Sequence, residues 1–398
     1  MLELGLRELV LFSVGYVVFV LALAGVIRHV ALSRGRELRV RVYRLEVITG
    51  FLYIVMWTVI ALYLLMGTPV KFLAVVAAVL LTYILPGHAI IRALNLRLST
   101  GEVPCLSLLL SYPANIPPLL MAYAMPSLRQ LVIMAYTLVL IFYYFFSIRR
   151  KGPCEEVMKI REEALLVLSF TFLLMAFTLA LLYPQMNRVA NLDVVRIHYP
   201  YIVECSKDLK KLLGRVYPLY YVPGVVMICL VEPGLNSYNT VMAFLSLLLP
   251  LSYYVMIRRL LEEEKVVSIS VLVSTFFSGF GWMLLIRRVL EGMPLGIAIR
   301  GLAYGTQWDI AYGLTTYIWL WFRPMTVGMI GFLVLSAFIG KEFSSRWAVG
   351  MFLSLLSLGL VHIPEVIFLV VAAPLYLSLI HISEPTRPRL ISYAVFCL

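Results

Sequence analysis

Residues 46–66 read EVITGFLYIVMWTVIALYLLM, and residues 71–91 read KFLAVVAAVLLTYILPGHAII. Each stretch matches the roughly 20 apolar residues that a helix needs to cross the hydrocarbon core of a bilayer. Asp, Glu, Lys and Arg occur only at their first positions, Glu46 and Lys71. Helices are favoured in lipid because they pair all of their own backbone N–H and C=O groups. The two stretches therefore predict transmembrane helices.

Composition extends this prediction to the whole chain. Its 398 residues are 62% hydrophobic and 14% charged, with a mean hydropathy of +0.95, whereas soluble domains are about 45–50% apolar and 25% charged. We predict an all-α fold, a polytopic transmembrane helical bundle of about 11 spans. The predicted spans are 8–27, 46–66, 71–91, 104–125, 130–147, 163–183, 237–257, 265–286, 325–340, 346–361 and 364–380. A weaker apolar segment, 216–231, is short and rich in tyrosine, which is typical of either a span or an interfacial helix.

The distribution of Arg and Lys among the loops, in a chain with a net charge of +12, predicts the topology. Arg and Lys gather in short loops, which argues against nucleic-acid binding. By the positive-inside rule, loops 28–44, 92–102 and 148–162 are cytoplasmic, and the loop 184–236 is then extracytoplasmic. If 216–231 lies in the interface, the basic pair at 258–259 also falls inside, so we prefer that alternative. The first span is interpreted as a retained helix, not a signal peptide.

The chain divides into three predicted parts. Residues 1–150 form a five-helix membrane module, and residues 151–376 form a second, truncated membrane module. Residues 377–398 (LSLIHISEPTRPRLISYAVFCL) resemble translated sequencing-adaptor sequence and are expected to be a non-native tail. The five cysteines show no CxxC spacing, so neither a disulfide nor a cysteine metal site is predicted.

Polar residues cluster in the predicted outer loop at NLDVVRIHY, residues 191–199. A carboxylate at Asp193, close to the membrane boundary, can accept a proton from an acceptor hydroxyl; it can also cap a helix that begins at the next residue. Arg196 lies three residues later on the same helix face and suits a lipid phosphate, because its guanidinium binds in a bidentate manner. His198 is either a functional or a structural residue.

The remaining candidates are aromatic or lie at the membrane boundary. The tyrosines offer a platform for a sugar or serve as interfacial anchors. Ionisable groups near membrane depth are costly to bury and are therefore usually functional. These candidate substrate-binding residues are Tyr199, Tyr217, Tyr220, Tyr221, Arg323, His362 and Glu365.

The sequence lacks the motifs that are typical of several other protein functions. The chain has no GxxxxGK[ST] phosphate loop, no HExxH and no GxSxG. The Gly and Pro interruptions do not form the duplicated halves that are typical of many transporters.

The order of these features resembles the GT-C class of integral-membrane glycosyltransferases. Asp193 is followed by YPLYY at 217–221 and then by the basic pair at 258–259, and the resemblance covers about 163–376. It implies an inverting glycosyltransferase that takes a sugar from a polyprenyl-phosphate donor at the extracytoplasmic face of the cell membrane. Asp193 would be the catalytic base, and Arg196 or Arg323 would hold the lipid phosphate.

The resemblance also leaves some properties open. Many members carry paired acids, but here Val194 follows Asp193. The resemblance therefore assigns no cofactor and leaves open whether the reaction requires a divalent metal ion. The implied partners are the polyprenyl-phosphate sugar, a glycan, lipid or protein acceptor, and the lipid bilayer, with no nucleic acid. LPG at 85–87 and GE at 101–102 resemble an amino-terminal module of uncharacterised archaeal and bacterial membrane proteins.

The alternative to a glycosyltransferase is a non-catalytic membrane subunit, or a transporter of a lipid-linked glycan or small molecule.

Overall fold

The computed structural model describes residues 37–67, 70–99, 101–151, 157–161, 165–173, 197–276, 290–294, 324–339 and 344–383. In these ranges the regular structure is helical, except for one two-stranded sheet. The all-α expectation therefore holds for the bundle, with that small sheet as the exception. The predicted span 8–27 and most of 163–183 lie outside the described residues.

Within the described residues of the predicted first module, six helices alternate with short turns. They are α1 (Val42–Met66), α2 (Lys71–Tyr83), α3 (Leu85–Leu94), α4 (Glu102–Ala114), α5 (Ile116–Ala124) and α6 (Arg129–Lys151). Within the described residues, four stretches are long and apolar enough to cross a membrane: Leu45–Met66, Lys71–Leu94, Glu102–Ala124 and Pro126–Arg150. They coincide with the predicted spans 46–66, 71–91, 104–125 and 130–147, and they support a membrane protein.

Two of the four stretches are interrupted where proline is present. The break between α2 and α3 falls at Ile84, two residues before Pro86, and the break between α4 and α5 falls at Asn115, two residues before Pro117. Proline has no backbone N–H to donate and its ring crowds the preceding turn, so a helix kinks or ends there.

The second module contains shorter helices. They are α7 (Tyr199–Lys207), α8 (Lys210–Leu213), α9 (Pro218–Leu230), α10 (Leu235–Leu245), α11 (Leu248–Leu260), α12 (Glu264–Phe276), α13 (Pro324–Ser336), α14 (Ser345–Val361) and α15 (Ile363–Ser383). The predicted span 237–257 contains a break between α10 and α11. Two helices cover it, because Pro250 lacks the N–H that would bond the carbonyl oxygen of Ser246.

The segment predicted as a span or interfacial helix is α9, and it is buried inside the bundle. Nearly all of its residues are buried, and it packs against α2, α6, α7 and α14. At 13 residues it is about 20 Å long, which is shorter than the roughly 30 Å hydrocarbon core. Helix α9 is therefore a central packing element that links the two modules.

In the described part of the chain, a two-stranded sheet joins two basic loops. Strand β1 (Glu37–Arg41) pairs antiparallel with β2 (Val157–Arg161), in a register that sets Arg39 opposite Lys159. These strands belong to the predicted cytoplasmic loops 28–44 and 148–162. Their pairing brings the two loops to the same end of the bundle.

A close approach of α3 and α4 explains the LPG sequence. A Cβ atom at Gly87 would lie 1.9 Å from the backbone oxygen of Ser107 and 2.8 Å from the backbone nitrogen of Ser111. The Gly87 N–H also donates to Ser111 Oγ at 2.8 Å. Small residues at helix contacts let backbones approach closely in membrane proteins, so glycine is required here.

The two modules are also joined by an ion pair. Glu102, at the start of α4, is buried, and its Oε1 lies 3.3 Å from an Nη2 atom of Arg259 in α11. The second oxygen of Glu102 accepts a hydrogen bond from the Ser99 backbone at 2.7 Å. The GE turn of the first module therefore contacts the basic pair of the second.

Candidate functional site

Seven of the ten predicted site residues belong to the described part of the chain, and they cluster around the beginning of α9, where His198 contacts Tyr220 and Tyr221 and His362 contacts Tyr217. Asp193, Arg196 and Arg323 are outside the described residues. The cluster forms where α7, the beginning of α9 and the turn between α14 and α15 meet. Its members are His198, Tyr199, Tyr217, Tyr220, Tyr221, His362 and Glu365.

His198 and Tyr221 form the centre of this cluster. His198 immediately precedes α7 and is buried, and its Nδ1 lies 3.0 Å from the hydroxyl oxygen of Tyr221 on α9. Its ring also meets Tyr220 edge-on, with centroids 5.3 Å apart. Buried polar groups need such partners because losing them costs the full desolvation penalty. The pair therefore holds α7 against α9.

Tyr199 makes structural contacts. Its hydroxyl donates to the backbone oxygen of Pro233 at 2.7 Å, and its ring packs on Tyr238 with centroids 5.1 Å apart. Burial, and then the nearby Glu232 carboxylate, raise the pKa of Tyr199 above its ordinary value. Its hydroxyl therefore stays protonated at neutral pH and serves as a donor that holds the loop after α9.

His362 and Glu365 form an imidazole–carboxylate pair at the turn between α14 and α15. Nδ1 of His362 contacts Oε2 of Glu365. Glu365 is buried against Gly328 on α13, where a Cβ atom would lie 2.7 Å from the carboxylate. The ring of His362 packs on Tyr217 with centroids 5.3 Å apart. Nδ1 is thus engaged, and Nε2 makes no hydrogen bond within the described residues.

A cation that the sequence did not indicate lies beside this cluster. The guanidinium carbon of Arg215 is 3.5 Å from the ring centroid of Tyr201, which itself packs edge-on against Tyr221. Arg215 also pairs with Glu204 at 3.0 Å, and its Nε is buried without a hydrogen-bond partner in the described structure. A guanidinium stacked on an aromatic ring is well suited to hold a phosphate.

No local spacing pattern would have identified Arg215. Glu204 and Arg215 are eleven residues apart, and they meet only because the chain reverses between α7 and α9. The acid Glu204, which the sequence left unassigned, pairs with Arg215 and with Lys211 at 3.6 Å. Glu204 therefore positions these two cations.

A row of aromatic rings connects the site to the first module. Tyr220 stacks on Tyr112 of α4 at 6.4 Å between centroids, and Tyr112 packs edge-on against Tyr83 of α2 at 6.1 Å. All three side chains are buried. The first module thus forms one wall of the candidate site.

The described residues contain no group of three His, Cys, Asp or Glu side chains that could hold a metal ion. No protein-family model, curated protein or solved structure matches this chain.

Proposed function

We propose that this chain is a multi-pass membrane glycosyltransferase that transfers a sugar from a polyprenyl-phosphate donor to an acceptor at the extracytoplasmic face. One observation carries the proposal. Substrate-binding candidates from three separate stretches, around 198, 217–221 and 362–365, meet at the beginning of α9, where His198 contacts Tyr220 and Tyr221 and the His362–Glu365 pair contacts Tyr217.

In the proposed reaction Asp193 accepts the proton of the acceptor hydroxyl as that oxygen attacks the anomeric carbon. The bond from this carbon to the phosphate oxygen breaks, and the lipid phosphate leaves with the electron pair. Attack from the face opposite the phosphate inverts the configuration. The sugar would lie against the tyrosine rings, whose faces and hydroxyl tips suit an amphipathic ligand.

Charge on the departing phosphate requires cations. Arg196 and Arg323 are the candidates from the sequence, and Arg215 is added because its guanidinium lies beside Tyr201 and Tyr221. His362 adds a further donor through Nε2 when its imidazole carries both protons, because the Glu365 carboxylate accepts from Nδ1 and orients the ring. Preorganised donors of this kind stabilise developing negative charge.

Substitution of Asp193 tests the mechanism directly. Purified protein in proteoliposomes receives a radiolabelled polyprenyl-phosphate sugar and a membrane acceptor extract, and transfer is measured as label in the product. Asp193→Asn should reduce the rate by about 10²- to 10⁴-fold, which is the usual contribution of a general base.

The matched control is Asp208→Asn. Asp208 lies in the same loop and accepts a local hydrogen bond from the Lys210 backbone at 3.1 Å, so transfer should persist in this variant. Unchanged transfer by Asp193→Asn would overturn the mechanism. Uptake of intact donor without product would instead favour a transporter.

A further inference from the structure

The turn between α7 and α9 exposes apolar side chains outside the long apolar helices. Leu213 and Val216 are 85% and 84% exposed, the highest values among the large hydrophobic residues of the described chain. Both belong to residues 207–216, which we name the basic turn. Exposing two aliphatic side chains to water is unfavourable relative to burying them.

Exposed cations surround these apolar side chains. Lys207, Lys210 and Lys211 are exposed, and Arg215 is partly exposed. Lys211 and Arg215 pair with Glu204, but neither Lys207 nor Lys210 makes an ion pair within the described structure. Asp208 is the one acid beside the four cations of residues 207–216, so this surface presents net positive charge beside two aliphatic side chains.

We propose that the basic turn docks on the bilayer surface by binding the phosphates of anionic phospholipids, with Leu213 and Val216 inserted among the lipid chains. Amphipathic segments bind this boundary through apolar insertion together with attraction to anionic lipids. Each Lys or Arg near an anionic surface adds to this attraction. The occupant is thus a lipid headgroup layer, because charge and apolar surface are complementary to it together.

The basic turn lies next to the candidate site in the chain. Tyr217 follows the turn directly, begins α9 and packs on His362. Docking of residues 207–216 on the lipid surface would hold the candidate site at the headgroup layer. This inference does not depend on glycosyl transfer.

Fluorescence at position 213 tests the docking. Leu213→Cys, in protein whose native cysteines are replaced, carries an environment-sensitive dye and is reconstituted in phosphatidylcholine alone or mixed with phosphatidylglycerol. We expect a blue-shifted emission and quenching by spin-labelled lipid in the mixed bilayer. Added salt should reduce both, because it screens charges at the surface.

Two variants make the result specific. Lys207→Gln combined with Lys210→Gln should abolish the dependence on phosphatidylglycerol. The matched label site is Leu65→Cys, equally exposed at 83% but within the candidate span Leu45–Met66, and its quenching should be the same in both lipids. A dye at position 213 that stays in water in both bilayers overturns the proposal, as does one that lipid charge leaves unaffected. Shielding from both lipid and aqueous quenchers would instead indicate a protein partner.

Discussion

At the residue scale, the hydrogen bond between His198 and Tyr221 is the contact that most directly orders the candidate site. We predict that Tyr221→Phe lowers the free energy of unfolding by about 0.5–1.5 kcal/mol, because the hydrogen bond between the Tyr221 hydroxyl and the buried His198 ring is lost. Thermal unfolding in detergent checks this, with a thiol-reactive dye that reports exposure of three buried free cysteines, Cys105, Cys205 and Cys229.

Tyr123→Phe is the matched control for this substitution. Tyr123 is 43% exposed, and its hydroxyl makes no hydrogen bond within the described residues. The Tyr123→Phe protein should therefore unfold at the same temperature as the parent protein. Equal unfolding temperatures for both variants would show that the contact between His198 and Tyr221 contributes no stability.

At the element scale, the contact between α3 and α4 depends on the missing side chain of Gly87. We predict that Gly87→Ala costs about 3 kcal/mol or more, the upper part of the range for overpacked cores. The added carbon meets backbone atoms of Ser107 and Ser111, which cannot rotate away. Size-exclusion chromatography and thermal unfolding should show a smaller folded fraction.

Gly359→Ala in α14 provides the comparison. A Cβ atom there would first meet Val366 at 3.7 Å, an ordinary contact. Alanine is favoured over glycine within a helix by roughly 0.5–1 kcal/mol, so this variant should be as stable as the parent or more stable. A Gly87→Ala protein that behaves like Gly359→Ala would contradict the close approach of α3 and α4.

At the scale of the whole molecule, the pairing of β1 with β2 connects chain segments that are far apart in sequence. We predict that Arg39→Cys with Lys159→Cys forms a disulfide on mild oxidation in a background free of other cysteines. Directly opposite antiparallel residues have Cα atoms about 4.5–5.5 Å apart, which a disulfide accommodates. Mass spectrometry of proteolytic peptides measures the cross-link.

Arg39→Cys with Arg161→Cys places the thiols out of register, since Arg161 pairs with Glu37. Diagonal neighbours are about 7–8 Å apart, so this pair should react poorly. Equal yields from both pairs would be inconsistent with the register.

Much of the helical layout was predictable from the sequence, because lipid imposes a local rule. An apolar stretch such as 46–66 has to satisfy its own backbone hydrogen bonds, and proline at 86 and 117 breaks the helix wherever it packs. The tyrosines and His362 could be predicted as candidate site residues for a similar local reason. Tyrosine prefers the membrane–water interface, and an ionisable group near the hydrocarbon is costly to bury. The glycosyltransferase assignment and the roles of Asp193, Arg196 and Arg323 stay predictions.

Tertiary structure alone decided which of these residues meet. Tyr217 and His362 are far apart in the chain and yet pack ring against ring, Arg215 lies on Tyr201 through a reversal of the backbone, and α9 is buried instead of lying at the surface. Such contacts depend on how several helices share one core, and no window of local hydropathy contains that information. Hydropathy determines where the chain leaves water, whereas packing determines which side chains become neighbours.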